Sequence, residues 1–336
     1  MQPGKLPARL LASLLADVQP RDPRVLLGPG IGRDAAVIDT GGPRLLVTKA
    51  DPITFASDRI GWYAVHVNAN DIACLGARPA WFMATIFLPD GAKPSLARSI
   101  FRHVREACES LDIQLVGGHT EITYGIDRPI VSGSMLGEVE RDRLVRPDGA
   151  RPGDALILTK GIAVEGTSVL AREAPGRLRA LGVSRRAITG ARRYLTDPGI
   201  SVVAEAMAAC RAGGVHAMHD PTEGGLATAL YEMAAASALG IEVQEEDIEV
   251  LPATRQICAA TGIHPLGLVA SGALLIAVAE EGCDAVLAAV HATGSSARRI
   301  GGFLQRPGVI IKSSSQRRPV PRFPRDEAAR FLSQTV

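Results

Sequence analysis

His219-Asp220-Pro221-Thr222-Glu223-Gly224-Gly225-Leu226-Ala227-Thr228 leads directly into Leu230, Met233, Ala234 and Ser237, spaced as one face of a helix. Asp220 and Thr222 are capping residue types, Pro221 suits a first helical position, and paired glycines let another group approach the backbone closely. The stretch therefore predicts a helix whose unpaired N–H groups and dipole favour an anion. The carboxylates of Asp220 and Glu223 are able to hold a cation over the same spot. An ordinary capped helix with glycines that only ease packing has the same local pattern, so the other segments must decide.

Outward from that point, strands and helices alternate. Residues 35–38 and 44–48 read as strands, 58–75 as a helix capped by Asp58, 81–88 as a strand, 94–111 as a helix, and 113–116 and 129–139 as strands. A turn-rich joint at Pro147-Asp148-Gly149 and Pro152-Gly153 opens a second series. Its predicted strands are 155–159, 215–218, 273–279, 297–304 and 309–311. Its predicted helices are 162–172, 184–194, 200–212, 223–238 and 253–260. This order predicts an α/β domain over 1–150 and an α+β domain over 151–312. Ser, Arg and Pro dominate 313–336, which predicts a weakly ordered tail with at most a last short helix.

Lys+Arg 37 against Asp+Glu 35 gives a net charge of +2, and aromatic residues make up 4% of the chain. Neither a global field nor stacking residues favour nucleic acid, so none is expected as a partner. The arginines over 172–193 read as a solvated helical face. Cys74, Cys108, Cys210, Cys258 and Cys283 are scattered, without a C-x-x-C pair, which predicts buried thiols in a reducing cytoplasm and no zinc site. Leu6, Leu10, Leu11, Leu14 and Leu15, interrupted by Arg9, predict an amphipathic helix rather than a secretion signal. No stretch has the length of a membrane span.

Four further segments pair glycines or amides with an acid. In Gly28-Pro29-Gly30-Ile31-Gly32-Arg33-Asp34-Ala35-Ala36-Val37-Ile38 the glycines precede a strand, whereas a dinucleotide fingerprint places them after a strand and before a helix. No G-x-x-x-x-G-K-[ST] occurs in the chain, so phosphate binding needs another architecture. Thr48-Lys49-Ala50-Asp51 puts Asp51 at a strand end, either facing a ligand or turning the chain before Pro52. Asn68, Asn70 and Asp71 interrupt a predicted helix, and Asn68 and Asp71 share one face. A buried carboxylate there requires a partner, either a metal ion or an arginine such as Arg78. Val116-Gly117-Gly118-His119-Thr120-Glu121 places a glycine pair at the end of the 113–116 strand, with His119 able to donate to phosphate or move a proton. Asp34, Asp51, Asp71 and Asp220 are all oxygen ligands, which points to Mg²⁺ rather than Zn²⁺. Mg²⁺ seldom takes an all-protein cage, and a triphosphate is the natural ligand to complete its shell.

These five motifs, in this order over residues 25–312, resemble the aminoimidazole ribonucleotide synthetase (PurM-like) superfamily, whose members include HypE-type hydrogenase maturation factors, thiamine-monophosphate kinase and selenophosphate synthetase. His219 to Leu226 and Ala270-Ser271-Gly272-Ala273-Leu274-Leu275 look most like the HypE type and AIR synthase-related proteins. The resemblance implies ATP and Mg²⁺ as cofactors, and a homodimer in which N-terminal strands of two subunits form a barrel. By the same resemblance, Asp34, Asp51, Asp71 and Asp220 hold the metal. Gly30, Gly32, Asn70, Gly117, Gly118, Thr120, Thr222, Gly224 and Gly225 flank the nucleotide.

The implied chemistry is ATP-driven phosphorylation of an oxygen on a small-molecule or protein-borne substrate, with His119 and Glu223 as candidate proton carriers. Three features depart from the relatives. Arg33 stands where several have a second Asp, the HypE-type terminal Cys has no counterpart in Ser333-Gln334-Thr335-Val336, and no Cys precedes Cys74 as selenophosphate synthetase requires. The alternatives are a catalytically reduced nucleotide-binding partner in a maturation complex, and a metal hydrolase that uses no nucleotide.

Overall fold

The computed structural model describes residues 4–18, 20–30 and 32–334. Ile31 of the glycine-rich loop, Thr335 and Val336 of the tail, and the side chain of Arg9 lie outside that description. The chain forms two units: residues 20–29 with 34–144, and residues 4–18 with 30–33 and 145–334. In chain order, α1 (Ala8–Leu15) belongs to the second unit. The first contains β1 (Val25–Leu27), β2 (Ala36–Asp39), β3 (Arg44–Ile53), α2 (Ile60–Cys74), β4 (Arg78–Pro89), α3 (Pro94–Ser110), β5 (Gln114–Thr123) and β6 (Ile130–Glu140).

The first unit is one sheet in the order β1-β2-β3-β6-β4-β5, antiparallel except for the parallel β4–β5 pair. Alternation along β6 buries Val131, Met135 and Val139 and leaves the intervening residues half-buried. Helix α2 is apolar on all sides, and every residue from Ile60 to Cys74 except Trp62 is buried. That is the signature of a helix covered on both flanks, here by β3 and β6 and by α3. Burial of Ile60, Tyr63, Val65 and Ile72 contributes about 1.5–3 kcal/mol each. The helix starts at Ile60 after a left-handed Arg59, not at an Asp58 cap.

β5 departs most from the sequence reading. The strand expected to end at Val116 continues to Thr123, with Met83, Ala84 and Thr85 of β4 opposite Gly117, Gly118 and His119. Gly117 and Gly118 are therefore part of a strand and not of a loop beyond its end. A Cβ at Gly118 would lie 2.1 Å from the carbonyl oxygen of Ala84. β5 is a sheet edge and exposes Val116 and Ile122.

The second unit contains β7 (Ala155–Thr159), α4 (Val164–Glu173), α5 (Pro175–Ala180), α6 (Arg185–Arg193), α7 (Val203–Ala212), β8 (Val215–His219), α8 (Gly225–Ser237), β9 (Gly240–Gln244) and α9 (Pro252–Thr261). It continues with β10 (Leu275–Val278), α10 (Cys283–His291), β11 (Ala297–Leu304), β12 (Gly308–Lys312), β13 (Arg317–Pro319) and α11 (Glu327–Leu332). Its sheet runs β13-β12-β9-β11-β7-β10-β8. β7 and β10 are buried throughout, as interior strands covered on both faces are. One core joins α8 to the sheet through Leu226, Leu230, Ile241 and Phe303, and a second lies among helices α4, α5, α6, α9 and α11.

Composition predicts weak order beyond residue 312, but residues 313–334 are packed. β13 pairs with β12, and Val320, Asp326 and Phe331 are buried. A few apolar anchors, together with ion pairs from Arg317 to Glu242 and Arg318 to Glu245, outweigh the polar average of this segment. The phenolic hydroxyl of Tyr231 also donates to the Val320 carbonyl at 2.7 Å.

The β5 geometry separates packing from ligand roles at two adjacent glycines. Gly118→Ala must displace the Ala84 backbone and is expected to cost about 2–4 kcal/mol in urea unfolding. At Gly117 a Cβ meets only the Met83 side chain at 4.0 Å, so Gly117→Ala should change stability by about 1 kcal/mol or less.

Candidate functional site

In the first unit the site grows from one strand and one helix. Lys49 and Asp51 are two apart on β3 and share a face of the sheet. Asn68 and Asp71 are three apart on α2. The Asn68 amide donates to the carbonyls of Ala64 at 2.8 Å and Asp51 at 3.2 Å, which clips the helix to the strand. Asp71 is 2% exposed, and its carboxylate lies 2.9 Å from the Lys49 ammonium. The Asp51 carboxylate lies 3.5 Å from the same nitrogen, and Asp34 is within its electrostatic reach.

Lys49, rather than Arg78, is thus a partner of the buried acid; Arg78 pairs with Asp112. Burial alone would push the Lys49 ammonium toward neutrality. The charges of Asp71, Asp51 and Asp34 outweigh it and raise its pKa above the ordinary lysine value. Two of the acids expected to hold metal, Asp51 and Asp71, therefore converge on one cation. Among the described residues, no three His, Cys, Asp or Glu side chains already stand in a metal-holding arrangement.

Gly117, Gly118, His119 and Thr120 line a cleft of about 350 Å³ with the apolar side chains of Ala84, Ile86, Phe101, Val104 and Leu115. His119 is exposed, and its Nε2 lies 3.2 Å from the Glu121 carboxylate. Asn70 is fully buried in α2.

Asp220, Thr222, Glu223, Gly224 and Gly225 belong to the second unit, as do Gly30 and Gly32. α8 begins at Gly225, so neither Asp220 nor Thr222 is its N-cap and Pro221 is not in its first turn. The reason is the backbone: Gly224 and Gly225 both have positive φ (84° and 62°) and reverse the chain leaving β8. A Cβ on Gly225 would meet the Leu266 and Leu268 carbonyl oxygens at 2.6 and 2.7 Å, so this glycine serves close packing within the protein.

The Gly224 N–H is engaged by the protein itself. It donates to the Asp326 carboxylate at 2.8 Å, and Asp326 also accepts from the Ala328 N–H at 2.7 Å. Burial pushes Asp326 up to about 7, against the N–H bonds of Gly224, Ala328 and Ala329, and Glu223 adds to the rise. Glu165, in the first turn of α4, is likewise pushed up to about 7 by burial. The polar Ser271 beside it opposes the shift, while Asp326, Asp220 and Glu223 add to it. Glu223 accepts from the Lys5 N–H at 2.8 Å. The expected anion seat is therefore acid-rich, and its glycine N–H already holds a carboxylate.

Lys49, Glu165 and Asp326 were not singled out by the sequence reading. The i, i+2 spacing to Asp51 and the need of Asp71 for a cation were the available signals for Lys49. Glu165 stands out only as a lone charge in the otherwise uncharged stretch from Gly161 to Ala171, and Asp326 has no local signal.

Because Asp326 and Glu165 hold protons in the folded state that they release when unfolded, their contribution is fully present below about pH 4. It is lost as pH rises through about 7. Asp326→Asn should therefore flatten the fall in stability between pH 5 and pH 8 by about 2–3 kcal/mol, read from urea midpoints.

Both halves of the chain match known domains. Residues 32–139 match the family model described as AIR synthase related protein, N-terminal domain, and residues 151–313 match the AIR synthase related protein, C-terminal domain. The carbamoyl dehydratase HypE of Rhizobium leguminosarum bv. viciae is 31% identical over 280 residues, covering 80% of this chain and 76% of that protein. A crystal structure of the hydrogenase maturation protein HypE superposes with a TM-score of 0.71 at 26% identity, covering 88% of this chain and 94% of the other. A structure of HypE in complex with ATP superposes with a TM-score of 0.68 at 24% identity, covering 98% of each chain. The chain belongs to the AIR synthase related protein family, with the two-domain PurM-like fold.

Proposed function

We propose that this protein is an ATP- and Mg²⁺-dependent enzyme that phosphorylates a substrate oxygen and so turns it into a leaving group. The observation that carries the reading is the convergence of Asp51 and Asp71 on a single cation position in the first unit. Its support from likeness is the 31% identity to a carbamoyl dehydratase and the fold shared with an ATP-bound HypE. The residues fit Mg²⁺: every donor is a carboxylate oxygen, and the point where Asp51 and Asp71 meet already accommodates an ammonium. When bound, the ion neutralises charge on the transferred phosphoryl group.

In this reading Asp34, Asp51 and Asp71 of the first unit hold the ion, the Asn68 clip keeps Asp51 and Asp71 in register, and Asp220 is the candidate metal carboxylate of the second unit. The nucleotide-flanking candidates are Asn70, Gly117, Gly118 and Thr120 in the first unit and Gly30, Gly32, Thr222, Gly224 and Gly225 in the second. The exposed His119, steadied by Glu121, and Glu223 are the proton carriers. Positioning and charge neutralisation supply most of the rate, as in other phosphoryl transfers. The open β5 edge, with Val116 and Ile122 exposed, supports a homodimer in which strands of two copies join. The substrate is a small molecule or is borne on a protein, and no nucleic acid is involved. No helix among the described residues is long and apolar enough to cross a membrane. Five free cysteines, four of them buried, support a reducing compartment such as the cytoplasm.

The proposed domain limits are 1–150 and 151–312, except that residues 4–18, 30, 32–33, 145–150 and 313–334 group with the second unit. Mg²⁺-dependent release of ADP tests the reading. Asp71→Asn should lower it at least 100-fold, a loss of about 2.7 kcal/mol of transition-state stabilisation, while the variant still unfolds cooperatively. Turnover equal to the parent protein would sink the assignment.

A further inference from the structure

Lys49 belongs to none of the roles assigned above, yet its ammonium stands between the acids proposed to take a divalent ion. Its nitrogen is 2.9 Å from Asp71 and 3.5 Å from Asp51. One ammonium serving two carboxylates is a weaker match to that charge than a divalent ion is. The geometry also leaves a way in. The side chain of Asp71 is 2% exposed and that of Lys49 13%, but that of Asp51 is 34% exposed, so the cluster opens to solvent at its Asp51 end. Lysine suits an exchange of this kind, because its point charge rides on a flexible four-carbon stem and carries no fixed fork of bonds to break.

We propose that Lys49 is an internal competitor for the metal: its ammonium occupies the cation position between Asp51 and Asp71 in the nucleotide-free protein, and a divalent ion enters only by displacing it. The inference rests on the functional reading above and adds a regulatory property to the same site. The protein alone binds free divalent ions weakly, and tight binding requires the ion to arrive with further ligands, as it does on a nucleotide. The competitor is also a stabiliser, because without it two carboxylates face each other with their ammonium removed.

The test uses Mn²⁺ alone with the full nucleotide-free chain, read by calorimetry, by electron paramagnetic resonance and by thermal unfolding. Lys49→Met should bind Mn²⁺ at least tenfold more tightly than the parent protein. Its melting temperature, lowered in chelator, should recover with Mn²⁺ while that of the parent moves little. Lys49→Arg keeps the charge and should stay weak, and Lys49→Met combined with Asp71→Asn should lose the gained affinity. If Lys49→Met does not unfold cooperatively, Lys49→Gln replaces it in the same measurements. Equal Mn²⁺ affinity in the parent and Lys49→Met overturns the competitor role but leaves the metal site standing. Absence of Mn²⁺ binding in both, with ATP present as well as without, overturns the metal reading itself.

Discussion

A carboxylate that is 2% exposed inside a helix covered on both flanks must find a cation, and the first unit is arranged around meeting that need at Asp71. α2 can be apolar on every side only because β3 and β6 cover one flank and α3 another. Within it, Asn68 and Asp71 are buried, and both reach across to β3: one through its amide to the Asp51 carbonyl, the other through an ion pair with Lys49. Packing does not demand this solution. An apolar pair of similar volume would hold the helix on the sheet as well or better, since desolvating two charges offsets most of their attraction.

The second unit meets a related problem differently. Glu165, Asp220, Glu223 and Asp326 influence one another around a glycine turn, and two of them are pushed far above the ordinary carboxyl range. Here backbone N–H groups and protons do part of the neutralising that an ammonium does in the first unit. A helix start framed by four acids accepts a phosphate only together with positive charge, so the glycine-rich turn alone is not an anion site.

Periodicity located most elements because it reports burial, which is what folds the chain. β7 and β11 match their expected bounds, and α2 and α3 differ from theirs by one or two residues at an end. What failed was legible only in three dimensions. β5 runs through Gly117 and Gly118 because a parallel neighbour pairs with it, and nothing local in two glycines announces a partner strand. β1, β9 and β13 were missed for the same reason, and the helices α5 and α10 were missed as well. The acids of the first unit were found from misplaced polarity in a helix, whereas Lys49 was passed over because a lysine on a half-exposed strand looks ordinary. Asp326 lies 102 residues from the amide that it accepts, beyond the range of any motif.

That separation has a consequence for how the protein is made. Residues 4–18 emerge before the first unit, and 30 and 32–33 between its two segments, yet all belong to the second, and the amide at Gly224 waits for Asp326. At ribosomal speeds of about 5–20 residues per second the second wait alone lasts roughly 5–20 s. The first unit has all of its chain by residue 144, whereas the other must keep its earliest segments uncommitted while more than half of the polypeptide is still to be translated, and then its turn at Gly224 unfinished until Asp326 follows. For those seconds the nascent chain presents apolar surface that belongs to no completed core, which makes this half the natural client of a chaperone.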